Sequence, residues 1–300
     1  MGLSQYGFAL LLARQKTGAG LGRVLCLGRQ RGAMGYDNAG RLAASQNIPW
    51  HKERLVLSSS WADSAILAAG AESVDSMDFS TYESCSIVHD LNLPVPDSLA
   101  GSFDTIFDGG TLEHVYDFPA AVRNCLRMLK PGGVFLAETP SNNWMGHGFY
   151  QFSPELFYRI FTPEAGCRVI AVAVLREGWR DELFVVDDPA VVGARLRFNV
   201  RGRTSLLVMA QKDEERDIAR TPQQSDYQTL WRKVTDSEAE EASGAPQPRR
   251  RLGGLTRLLP HGMLRGLDNL RTDWERRRNR HQGLRRLSGV KDLIRLGQPA

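Results

Sequence analysis

The sequence predicts an α/β fold: a doubly wound, mostly parallel sheet of seven strands, followed by a basic helical C-terminal extension. Three observations carry that prediction. Between Arg23 and Ala210, short apolar runs rich in β-branched residues alternate with helical patterns, the signature of βαβ units. The composition, 42% apolar and 24% charged over 300 residues, suits one large domain with an appendage or two small ones, and excludes collagen-like, disulfide-framework and wholly disordered chains. The net charge of +4 averages two unlike parts: residues 246–300 hold fourteen Lys/Arg against four Asp/Glu, leaving 24 basic and 30 acidic residues in the first 245. A mildly acidic body carries a strongly basic tail.

Taken in chain order, the first apolar stretch, Tyr6 to Ala13, has no basic segment before it and is followed by Arg14 and Lys16. It is too short to span a bilayer and does not read as a signal peptide, so a cytoplasmic protein is expected. The candidate strands are Arg23–Gly28, Ser73–Asp78, Ser86–His89, Phe103–Asp108, Val134–Thr139, Arg168–Leu175 and Ser205–Ala210, the last two closing the sheet as a late hairpin. Between the first two lies an insertion at about 36–70, with Trp50 and Trp61 expected to pack in a helical excursion at the rim. The clearest helix follows Asp117, placed to cap it, with Pro119 in the first turn and Val122, Leu126 and Leu129 on one face. Pro131-Gly132-Gly133 stops it. After the fifth strand, a segment dense in aromatics and amides runs from Thr139 to Glu155, with Ser153 read as a helix cap. Residues 1–211 form the domain, 212–248 a polar linker and 249–300 a basic helical tail.

Ligands of open α/β sheets bind beyond the carboxyl ends of the strands. Here those ends read Cys26-Leu27-Gly28-Arg29-Gln30-Arg31-Gly32, then Asp78, then His89-Asp90-Leu91-Asn92, then Asp108-Gly109-Gly110 followed by Thr111-Leu112-Glu113-His114-Val115. This series, with Phe103 to Asp108 ahead of it and Leu129-Lys130-Pro131-Gly132-Gly133 behind it, resembles the class I S-adenosylmethionine-dependent methyltransferases, in the broad bacterial type 11-like set. The similarity covers roughly Arg23 to Ala210 and implies a Rossmann-like sheet, S-adenosyl-L-methionine as cofactor, and methylation of an oxygen or nitrogen of a small molecule or glycan intermediate.

The resemblance also assigns residues. Asp78 would accept both ribose hydroxyls, with Asp75 as near competitor; Asp90 and the Leu91 amide would meet the adenine; Asp108, Gly109 and Glu113 would line the methionine portion. Gly28 would let the backbone approach the cofactor. His147 is the candidate general base toward the acceptor, with His114 as second, each weighed against a structural histidine held by local hydrogen bonds. Tyr150 and Asn143 are weaker candidates for acceptor contacts. The chain departs from the family in its glycine loop, where acid-x-Gly-x-Gly-x-Gly becomes Cys26-Leu27-Gly28-Arg29-Gln30-Arg31-Gly32. Arg29 and Arg31 would there either add positive charge beside the cationic sulfonium or neutralise the methionine carboxylate.

Other chemistries find little support. Cys26, Cys85, Cys125 and Cys167 form no CxxC pair, Walker, HExxH and EF-hand patterns are missing, and no metal site is expected. Ser58-Ser59-Ser60 and Ser205 lack nucleophile-elbow glycines, and no GxGxxG supports a nicotinamide oxidoreductase. The serious rival is a non-catalytic binding or scaffold module that kept the fold while the glycine loop decayed. The basic tail reads as a helix on anionic lipid at the inner membrane face or docked on the acidic body, rather than an RNA platform, Trp274 being its one aromatic.

Overall fold

A computed structural model describes residues 2–193, 195–198, 200–216, 221–242 and 281–297. The chain divides into two compact units: 1–186, 202–222 and 285–300 form the first, and 187–201 with 223–284 the second.

The first unit opens with helix α1 (Gln5–Lys16) and strand β1 (Arg23–Leu27). Helices α2 (Tyr36–Ala44) and α3 (Asp63–Ala68) precede β2 (Ser73–Asp78), β3 (Ile87–Val88) and β4 (Phe103–Asp108). Helix α4 (Phe118–Met128), β5 (Leu129–Asn142), α5 (Pro154–Ile160), β6 (Cys167–Arg176) and β7 (Glu182–Val186) follow. The second unit contributes α6 (Pro189–Val192) and β8 (Arg197–Phe198) before β9 (Thr204–Lys212) returns to the first. Beyond it come α7 (Ser225–Ala242), β10 (His281–Gln282), β11 (Leu284–Leu287) and α8 (Val290–Arg295).

The main sheet runs β11-β7-β6-β9-β5-β4-β1-β2-β3. Strands β1 to β5 pair in parallel, and β9 runs antiparallel between β5 and β6. All seven expected strands are present, and β7 and β11 extend the sheet to nine. The reversal of strand order beside β1 puts the carboxyl ends of β1, β2 and β4 side by side, where a doubly wound sheet opens a ligand crevice.

Local chemistry explains the placement of the elements. The Asp117 carboxylate accepts the Ala120 amide at 3.0 Å and so caps α4. At the other end of that helix the buried Lys212 ammonium donates to the Leu126 and Leu129 carbonyls at 2.7 and 2.8 Å, satisfying groups that the helix leaves open. Ser153 stands at the N-cap of α5 without a side-chain cap bond. The apolar stretch Tyr6 to Ala13 is a core helix, with Phe8, Leu11 and Leu12 wholly buried. Ser4 caps it and binds both carboxylate oxygens of the buried Glu138. Trp50 packs edge-on against Phe8 at 5.8 Å, as expected for a tryptophan of the insertion.

The segment 285–297 is no appendage: β11 joins the edge of the sheet, and α8 packs on α1 with Leu293 and Ile294 buried. Within the stretch read as linker, Ser225–Ala242 is helical. In the second unit, β8 pairs with β10 and Arg195 bridges Asp226. Most of the basic tail, 249–280, lies outside the described residues, as does the end of the linker, 243–248. Among the described residues no helix is long and apolar enough to cross a membrane.

Candidate active site

Strand ends converge as the topology requires. Gly28 follows β1 in a left-handed turn, φ +65°, its amide bonded to the Met77 carbonyl at 2.7 Å. A Cβ there would stand 2.8 Å from the Thr111 hydroxyl and 3.9 Å from Oδ2 of Asp78. Asp78 is half-buried beside that turn. Its competitor Asp75 is committed to Arg23 at 2.8 Å, which leaves Asp78 as the acid open to a ligand. Asp90 closes an Asx turn, accepting the Asn92 amide at 2.9 Å and its side-chain nitrogen at 2.7 Å, and these bonds hold its carboxyl below the usual range. Leu91 is buried beside it.

The glycine loop takes a different path from the family pattern. Gln30 occupies the middle glycine position, and its side chain turns inward, donating to the Leu27 carbonyl at 2.7 Å. Its Oε1 fills the space that a Cβ on Gly109 would take, so a side chain at 109 would have to displace the Gln30 amide. Arg29 and Arg31 do not face this crevice. Arg29 binds Asp63 at 3.0 Å, and both guanidiniums stack on Trp61 at 4.7 and 5.1 Å.

Asp108 is fully buried, its Oδ1 accepting the Thr111 amide at 2.8 Å, and burial pushes its carboxyl up to about 6. Its Oδ2 and Gln30 Oε1 are buried acceptors without a hydrogen-bond partner. Two orphaned acceptors flanking Gly109 suit an ammonium group, and a free carboxylate on Asp78 suits vicinal hydroxyls. The donor set therefore fits the methionine and ribose ends of S-adenosylmethionine, even though Gln30 narrows the loop.

Beyond β4, Glu113 and His114 lie on one 3-10 turn, Leu112–His114. The loop after β5 brings His147 to them, because its Phe149 and Tyr150 amides both donate to the Glu113 carbonyl, at 2.8 and 3.2 Å. Gly148 permits this closure, since a Cβ there would lie 2.9 Å from that carbonyl oxygen. Glu113 Oε1 stands 3.4 Å from His147 Nε2 and 3.7 Å from His114 Nε2, within ion-pair distance. Burial and then the Asp108 charge push the Glu113 carboxyl up to about 8, and burial lowers both imidazoles. Desolvation outweighs attraction here, so burial biases all three groups toward their neutral forms despite the short distances.

The same loop sets Trp144 under Arg203 at 4.5 Å, leaves Met145 exposed, and holds the exposed Phe149 edge-on to Tyr116 at 6.0 Å. Tyr150 donates to the Tyr116 carbonyl at 2.6 Å and Asn143 to that of Gly202, so both side chains tie the loop to neighbouring backbone. The roles of Gln30 and Thr111 escape sequence reasoning; the one available signal was that Gln30 replaces a glycine.

Residues 63–137 match the family model described as Methyltransferase domain. That span begins at α3, leaves out the divergent glycine loop and α2, and takes in β2 to β4, the Glu-His turn, α4 and part of β5. A stretch of 49 residues is 43% identical to a probable S-adenosylmethionine-dependent methyltransferase of Mycolicibacterium smegmatis, covering 16% of this chain and 18% of that protein. Among solved structures, the YcgJ protein of Bacillus is 15% identical with a TM-score of 0.38, over 71% of this chain and 100% of that one. The 1,6-didemethyltoxoflavin-N1-methyltransferase of Burkholderia thailandensis is 13% identical with a TM-score of 0.38, over 70% of this chain and 79% of that one. Through the segment 63–137, this chain is similar to S-adenosylmethionine-dependent methyltransferases, and the stretch it shares with that relative spans under a fifth of the relative's length.

Proposed function

We propose that this chain binds S-adenosyl-L-methionine across the ends of β1, β2 and β4 and methylates an oxygen or nitrogen of a small molecule or glycan intermediate. The observation that carries the reading is the set of unpartnered acceptors at those strand ends, Asp78, Asp108 Oδ2 and Gln30 Oε1, inside a family-matched segment or its glycine loop. When bound, the cofactor supplies an electrophilic methyl group on a sulfonium. Asp78 accepts the ribose hydroxyls, the Leu91 amide and Asp90 meet the adenine edge, and Asp108 with Gln30 holds the ammonium.

The loop 143–152 carries the acceptor side. Exposed Tyr116 and Phe149 give it an apolar mouth, and His147 and His114, neutral at pH 7, offer lone pairs to an acceptor proton. Holding both partners in line supplies most of the rate, with proton removal second. Incubation with methyl-tritiated S-adenosylmethionine and fractions of small metabolites tests this directly: label should pass to an organic acceptor and fall sharply in His147→Ala. Transfer to no fraction, with the cofactor bound, would favour the scaffold reading, to which the glycine lost at Gln30 lends weight.

A further inference from the structure

The Glu113, His114 and His147 donors do more than face an acceptor. Glu113 Oε1 and His147 Nε2 are both buried without a hydrogen-bond partner, 3.4 Å apart, and the three side chains offer ligand atoms all within 4.8 Å of one another. Two buried polar atoms aimed at each other with no hydrogen-bond partner are unfavourable unless something joins them. Around a tetrahedral ion bound at about 2.0–2.1 Å, neighbouring ligand atoms lie roughly 3.4 Å apart, so the 3.4 and 3.7 Å edges already have the spacing of a coordination shell.

The surroundings are built to hold it. Glu113 is wholly buried, and the Thr139 hydroxyl reaches its second oxygen at 3.5 Å, fixing the carboxylate from behind as outer-shell partners of metal ligands do. Gly148 lets the loop close against both Glu113 and His114, whose Nδ1 would be 3.2 Å from any Cβ at that position. The imidazoles stay partly open to solvent, with 48% and 28% of their side-chain surface exposed, so the entry path lies on their side.

We propose that Glu113 Oε1, His114 and His147 form a site for a borderline transition-metal dication of the zinc type. Two imidazoles and one carboxylate suit such an ion better than magnesium or calcium, and three protein ligands leave a coordination position open. Resting on the methyl-transfer reading, that open position would take the acceptor's oxygen and lower its proton affinity, its proton passing to water on the solvent-open imidazole side as the methyl arrives. The imidazoles then hold the ion instead of taking the proton themselves.

The test is a cobalt(II) titration of the full-length, untagged, chelator-stripped chain, followed by visible d–d absorption and checked by zinc displacement and elemental analysis. One ion per chain is expected, with affinity lowered at least about tenfold in His147→Ala and in Glu113→Gln, and unchanged in His89→Ala, a histidine outside the cluster. His114→Ala gives a second ligand deletion, and circular dichroism confirms that each variant is folded. Absence of saturable binding, or equal binding by the folded Glu113 and His147 variants, overturns the site. No cofactor enters the titration, so its failure leaves S-adenosylmethionine binding standing, and failure of cofactor binding leaves the metal site standing.

Discussion

Removing the end of the chain should unfold the first unit rather than trim an appendage. Leu287, Leu293 and Ile294 are 8%, 1% and 0% exposed, and Gly297 approaches α1 so closely that a Cβ would stand 2.3 Å from the Ala13 carbonyl. Each buried aliphatic side chain contributes about 1.5–3 kcal/mol, so the three together supply roughly 5–9 kcal/mol. That is comparable with the whole margin of about 5–15 kcal/mol that keeps a domain folded. Deletion of 285–300 also uncovers the face of α1 that α8 covers, where Gly297 meets Ala13. Ile294→Ala alone should cost about 2–5 kcal/mol, and Lys291→Ala, an exposed position on the same helix, less than about 0.5 kcal/mol. Urea melts followed by circular dichroism measure both. An Ile294→Ala protein that melts with the parent would refute the docking of α8 on α1.

Other outcomes follow from single residues. Asp78→Ala should weaken S-adenosylhomocysteine binding by about 1–3 kcal/mol, roughly 5- to 150-fold, while Asp75→Ala, which breaks only the partly exposed Arg23 pair, should leave it unchanged by calorimetry. Glu138 is raised from 4.5 to about 7, chiefly by burial, so the fold prefers its protonated form. Its contribution is fully present below pH 4.5 and lost as pH rises through 7, an effect of about 3 kcal/mol that should be missing from the stability profile of Glu138→Gln. Gly148→Ala pushes a methyl to 2.9 Å from the Glu113 carbonyl, and a lowered melting temperature with weakened cobalt binding is expected.

Period and punctuation made much of the fold legible. Ser73–Asp78 and Phe103–Asp108 are strands at the expected bounds, and Asp117 caps the expected helix. What escaped depends on distant partners. The run Glu182–Val186 becomes β7 because β6 stands beside it, and Leu284–Leu287 is a strand set in arginine-rich text that pairs with β7. Strand-end logic located Gly28, Asp78, Asp108 and Gly109, since chain topology alone fixes such positions. The inward turn of Gln30 and the meeting of His147 with Glu113 are products of loop paths, which carry no periodic signal.

Calorimetric titration of the full chain with S-adenosylhomocysteine bears most directly on whether the altered glycine loop still serves a cofactor. Saturable one-to-one binding, weakened in Asp78→Ala, is the expected result. No heat at millimolar ligand, and no competition by S-adenosylmethionine, would contradict it and leave a methyltransferase fold that has stopped binding its cofactor.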